Sequence, residues 1–158
     1  MNPSHKLLIS SSLAAAGLFG LQGSAMALTT MNANVCQIVD VTTPGPTVLR
    51  QGSGITNFAA SYRNVHCPII RTAAATAAGY SVFVDGNLLA GPPLVCELDS
   101  YNYDGRFLGL ASLFIDTVGN FDRLMTLPQS QVPTFSHQVL SCAMPHGASL
   151  FDIEPTTP

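Results

Sequence analysis

From Val35 onward the chain keeps one cadence: short runs of β-branched and aromatic residues, cut about every ten residues by Gly, Pro and Asn clusters. Nowhere is that cadence displaced by a convincing 3.6-residue period. The runs 35–41, 47–50, 55–60, 62–70, 80–84, 94–98, 106–115, 121–127, 134–144 and 148–153 read as strand candidates. The shortest of them are marginal, so the expectation is about eight or nine short strands. Helix and strand readings compete over Arg106–Ile115. Its flanks, Asp104-Gly105 and Gly119-Asn120, favour the strand. Pro68 marks a bulge, a strand end or an edge, because it has no N–H for a sheet ladder. Asp85-Gly86-Asn87 reads as a turn closing the strand before it. Thr29–Asn34 reads as a loose start, Arg71–Ala78 as a loop, and Pro155–Pro158 as a frayed tail. The fold class that follows is all-β, an antiparallel β-sandwich or jelly-roll-like arrangement.

The first 27 residues have a different character. His5 and Lys6 form a positive start, an apolar run follows from Leu7 to Leu21, and Ser24-Ala25-Met26-Ala27 supplies small residues at a cleavage site. This is the pattern of a secretory signal peptide spanning 1–27, with the cut before Leu28. Residues 28–158 then form a single β-sandwich domain of a size that holds one core. A lipid-attachment cysteine is not found after the cut, and no second apolar run approaches the ~18 residues that span a bilayer. The expectation is a secreted product, periplasmic or extracellular, not inserted in a membrane once the leader is removed.

Export places Cys36, Cys67, Cys96 and Cys142 in an oxidising compartment, where they read as two disulfides. Period-2 alternation puts each on an apolar face: Cys36 with Ile38, Cys67 with Val65 and Ile69, Cys96 with Leu94 and Leu98, and Cys142 with Leu140 and Met144. Their wide spacing lacks the close pairs of zinc sites and of redox CxxC centres. Three pairings are open. Cys36–Cys67 with Cys96–Cys142 is preferred, because each bridge then ties one half of the chain to itself.

Without the leader, five arginines face nine carboxylates and no lysine remains. A chain of that charge neutralises few phosphates, which argues against nucleic acid and anionic membrane partners. No Gly-x-Ser-x-Gly elbow, HExxH or phosphate-binding glycine loop is present. His66 falls on the polar side of its strand, His137 alternates with Phe135 and Val139, and His146 sits in a Pro-His-Gly turn. None of the three stands beside a recognisable nucleophile. No cofactor, metal or catalytic residue is expected.

The most suggestive segment is Asp99–Gly105. Asp99, Asn102 and Asp104 are hard oxygen ligands of the kind calcium takes, but their spacing misses the EF-hand pattern, and Asp and Asn also start turns on their own. Tyr101 and Tyr103, two apart at a strand end, would sit side by side as a recognition surface with Asp104 next to them. These three are the candidate ligand-binding residues.

Cys67-Pro68-Ile69-Ile70-Arg71, Val82-Phe83-Val84-Asp85, Val95-Cys96-Glu97-Leu98, Cys142-Ala143-Met144-Pro145 and the following Ala148–Glu154 together resemble small exported four-cysteine proteins of Gram-negative bacteria. The resemblance implies a disulfide-bonded β-sandwich and carries no chemistry, since the function of those proteins is unknown.

The leading functional expectation is a non-catalytic secreted β-sandwich that binds a surface, a glycan or a protein partner, with self-association allowed. The alternative is a structural subunit of a surface filament or pilus-like assembly. A chaperone-dependent pilin would carry a near-terminal aromatic in its last strand, where this chain has Pro-Thr-Thr-Pro. A second alternative is a hydrolase with a dispersed active site.

Overall fold

The computed structural model describes residues 30–39, 48–70 and 75–156. The expected signal peptide, the stretch 40–47 and residues 71–74 lie outside them. Eleven strands run in chain order: β1 (Met31–Asn32), β2 (Gln37–Ile38), β3 (Val48–Gln51), β4 (Gly54–Asn57), β5 (Arg63–Ile69), β6 (Tyr80–Leu88), β7 (Leu94–Tyr101), β8 (Phe107–Ile115), β9 (Gly119–Leu127), β10 (His137–Met144) and β11 (Ser149–Thr156). Setting aside the two-residue strands β1 and β2 leaves nine, in line with the cadence of the sequence.

All strand pairs are antiparallel and fall into two sheets. One has the order β2-β5-β10-β7-β8; the other runs β3-β4-β11-β6-β9, with β1 also paired to β11. β6 takes one edge of β11, and β4 and β1 share the other in tandem, β4 at Ser149–Leu150 and β1 at Asp152–Ile153. The inward halves of both sheets interdigitate in one core. Val65, Leu94, Leu98, Leu140 and Met144 come from the first sheet, and Ile55, Val82, Val84, Leu127, Leu150 and Ile153 from the second. The alternating burial along β5 and β7 is the period-2 pattern expected of strands with one wet face.

Both bridges form with the preferred pairing, Cys36–Cys67 and Cys96–Cys142. Cys96–Cys142 joins the adjacent strands β7 and β10, and Cys36–Cys67 ties the residue before β2 to β5. Cys96 lies directly opposite Cys142, and Cys36 precedes the Gln37–His66 pair; Cα–Cα separations are 4.1 Å in both. All four sulfurs belong to buried residues on the inner face.

Several sequence expectations need correction. Asp85-Gly86-Asn87 is not a turn: β6 runs straight through it to Leu88, in register with β9 and β11. Gly86 is required there for close approach, since a Cβ would lie 2.4 Å from the Phe121 ring and 2.2 Å from the Ser149 carbonyl. The tail does not fray through Pro155 and Thr156, which pair with Val82 and Ser81 as the end of β11. Thr30–Asn34 is not loose either. Met31 pairs with Ile153, and Ala33 is fully buried in a 3-10 turn that replaces the start of the expected Val35–Val41 strand. Pro68 is tolerated because β2 reaches only Val65 and His66, which leaves β5 an open edge at the proline.

One buried polar node joins the sheets at their end. The Asn57 side chain donates to the Ser61 and Met144 carbonyls (2.9 and 2.8 Å) and accepts from the Ala59 N–H (2.8 Å). Its backbone pairs with Ala148 and Gly147. Every polar group of this fully buried residue therefore has a partner, which is the condition for burying it at all.

Candidate functional site

The outer face of the disulfide-bearing sheet carries a groove of about 480 Å³ over β5, β10 and β7. Strand alternation selects its lining: while Val65, Cys67, Cys96 and Leu98 turn inward, Asn64 and His66 on β5 and Val95, Glu97, Asp99 and Tyr101 on β7 turn outward. β10, between them, contributes Val139, Ser141 and Ala143. Register then aligns them in rows across the sheet. His66, Ser141 and Glu97 form one row, Val139 and Asp99 the next, and Asn64, Ala143 and Val95 the row on the other side.

The groove ends in an aromatic platform. His137 stands opposite Tyr101, their rings stacked with centroids 5.6 Å apart at 19°. Phe107 of β8 meets the same tyrosine edge-on, at 5.7 Å and 66°. Desolvation, with the Asp99 and Glu97 carboxylates adding to it, pushes the Tyr101 phenol above its ordinary value. It stays protonated at neutral pH and keeps an O–H to donate. Two carboxylates beside it supply acceptors. One Asp99 oxygen takes the Ser141 hydroxyl at 3.4 Å.

This arrangement suits a polyhydroxylated, uncharged ligand. Flat apolar faces stack on rings, and hydroxyls exchange hydrogen bonds with carboxylate, amide, imidazole and serine groups. It opposes anions, because no arginine lines the groove and two carboxylates do. Serine nucleophiles need a base, most often an imidazole, to accept their proton. Here the Ser141 proton goes to a carboxylate instead.

Of the sequence candidates, the structure brings Tyr101 to the groove and leaves Tyr103 and Asp104 outside it. The two tyrosines are not side by side, because β7 ends at Tyr101 and a tight turn follows. That turn is closed by Asn102 N–H to the Arg106 carbonyl (2.8 Å) and by Gly105 at φ +79°. Tyr103 sits in it 77% exposed. Asn102 and Asp104 hold the turn, their side-chain oxygens accepting the Tyr103 and Arg106 N–H groups, while Asp99 lies within β7. Among the described residues, no three His, Cys, Asp or Glu side chains gather as a metal site. Sequence reading passed over His66, Glu97 and Ser141. Their signal was present as the polar halves of alternating strands, but the order β5-β10-β7 that unites them was not.

The opposite sheet differs in character. Asp85 on β6 faces Asp122 on β9, with Glu154 and Asp152 of β11 close by. Partial burial, followed by repulsion from Asp122 and Glu154, pushes the Asp85 carboxyl up to about 6. Glu154 accepts a hydrogen bond from the Thr30 hydroxyl at 3.0 Å.

No protein-family model and no curated protein matches the chain. Among solved structures it is similar to a xylan-binding module CBM15, at 14% identity and a TM-score of 0.46, covering 82% of this chain and 97% of that one. It is also similar to TmCBM61 in complex with β-1,4-galactotriose, at 12% identity and TM-score 0.43, over 84% of this chain and 90% of the other. A CBM35 from Paenibacillus barcinonensis gives 17% identity and TM-score 0.41, over 82% and 99% respectively. At such TM-scores and identities the likeness carries no inference about this chain's ligand.

Proposed function

We propose that the chain is an exported, non-catalytic glycan-binding protein whose site is the groove over β5, β10 and β7. The observation that carries this reading is the composition of one surface. A Tyr101–His137 ring stack adjoins Glu97 and Asp99, with Asn64, His66 and Ser141 across the groove. Aromatic rings cover the apolar faces of a sugar, and the side chains around them match its hydroxyls. The pair of carboxylates selects a neutral glycan over an acidic one.

Rigidity supports the same reading. The groove floor is the reverse side of the bridged strands, so the backbone that carries its side chains is held in place before a ligand arrives and little backbone ordering entropy is lost on binding. The test is a glycan array probed with oxidised protein beginning at Leu28, followed by calorimetry on each hit. Neutral oligosaccharides should bind and uronic-acid polymers should not, and Glu97→Ala should weaken every hit. An array without neutral hits, or hits that survive Glu97→Ala and Tyr101→Ala unchanged, refutes the assignment.

A further inference from the structure

Four of the five outer sheet edges among the described residues are blunted in the ways soluble β proteins use. β1 and β2 are two residues long, β3 is four residues long, and β9 carries Asp122 and Arg123. The fifth, β8, is nine residues long, has neither a charge nor a proline, and pairs with no strand but β7 among the described residues. Its outward side chains stand open to solvent: Phe107 is 51% exposed, Leu110 44% and Phe114 63%. An edge of this kind is a template for another strand.

The sequence of the edge names the strand it fits. Phe107–Ile115 is flanked by Arg106 on one side and Asp116 on the other, both exposed, and Ala111 is its midpoint. Antiparallel pairing of β8 with β8 of a second copy, centred on Ala111, brings Arg106 of each copy to within one residue of Asp116 of the other, the extra residue at Leu108 accounting for the offset. The same register sets Gly109 against Leu113 and Leu110 against Ser112. The irregularity in β8 lies between Phe107 and Gly109, where it faces Tyr101 and Ser100. The central run Gly109–Leu113 is regular, and the length of an arginine side chain spans the offset at the flank. A parallel pairing, or an antiparallel one shifted by two residues or more, separates the charges, and a shift of one residue sets the inner face of one strand against the outer face of the other. The rest of the chain is acidic, so an uncharged edge with one cation and one anion at its ends is the surface on which two copies meet without repulsion.

We propose that β8 is a homodimer interface, two copies pairing edge to edge about a two-fold axis through Ala111. Leu110, Ser112 and Phe114 lie on the groove side in both copies, so the joined sheet presents both grooves on the same face. The β10 strands at their centres are then five strand spacings apart, about 24 Å. One long ligand chain, or two chains of an array, meets both sites, and the second contact forms at high effective concentration. The interface itself stands whether or not the groove binds glycan.

Sedimentation velocity from micromolar to millimolar protein tests this, with far-UV circular dichroism and a melt as folding controls. The wild type should pass reversibly from monomer to dimer and stop there. Leu110→Lys, at an exposed position, should remain monomeric with an unchanged spectrum and melt. Arg106→Asp should weaken the dimer about tenfold by placing like charges opposite each other, and adding Asp116→Arg should restore it. A monomer at every concentration overturns the proposal, as does growth past the dimer into open polymers. So does a dimer indifferent to Leu110→Lys, or a double charge swap no better than the single one.

Discussion

The two sheets of this sandwich share a core and divide the work. The β2-β5-β10-β7-β8 sheet holds both disulfides and carries on its outer face a groove of rings and hydrogen-bonding groups. The β3-β4-β11-β6-β9 sheet has no cysteine, and its outer face gathers Asp85, Asp122, Asp152 and Glu154. Cross-links sit in the sheet that carries the groove, and the cluster of four carboxylates sits on the other sheet. Stabilisation in the first sheet should therefore be coupled to binding, and in the second it should not.

Replacing Cys96 and Cys142 together by Ala gives the sharpest break. The chain-entropy model assigns about 4 kcal/mol to a bridge closing a loop of this length, and thermal melting should fall by roughly 15 °C. Groove affinity should fall with it, even at temperatures where the variant stays folded. Asn57→Ala is the matched test away from the groove, at the node that ties β4 to the end of β10. It removes three side-chain hydrogen bonds and orphans the buried Met144 carbonyl and Ala59 N–H, a loss of about 3 kcal/mol in chemical denaturation, yet calorimetry should find groove affinity unchanged. If Asn57→Ala weakens binding as much as loss of the bridge does, the division fails.

Tyr101→Ala reverses the pattern. It should lower glycan affinity at least tenfold in a titration while moving the melting temperature little, because the ring is half-buried on the outer face. The smallest effect is electrostatic. The Asp85 carboxyl is raised from 3.8 to about 6 on folding, so the folded state holds its proton more tightly. That disfavours folding above pH 6, progressively less down to pH 4, and not at all below it. Asp85→Asn should therefore stabilise the protein at pH 7 by under about 1 kcal/mol after solvent screening, and by nothing at pH 4. Melts at the two pH values decide it, and a gain that persists at pH 4 contradicts the assignment.

Much of the fold was legible because period-2 alternation is local. It marked β5, β7 and β10, put the four cysteines on the inner faces, and combined with chain economy to favour the observed pairing. Asp85-Gly86-Asn87 was misread for a non-local reason. Its glycine answers to Phe121 and Ser149, thirty or more residues away, and not to a turn. The site was half legible. Tyr101 was visible as an aromatic near a strand end, but the tight turn at Asn102–Gly105 separates it from Tyr103. His66, Glu97 and Ser141 come together only because β10 inserts between β5 and β7, an order no local pattern encodes.

The central claim is that the bridged sheet, and not the acidic one, receives a neutral glycan. A two-dimensional NMR titration of isotopically labelled protein with neutral oligosaccharides reads both faces at once. Shifts should concentrate at His66, Glu97, Tyr101 and Ser141 while Asp85, Asp122 and Glu154 stay still. Shifts centred on the acidic face, or none at millimolar ligand, would contradict it.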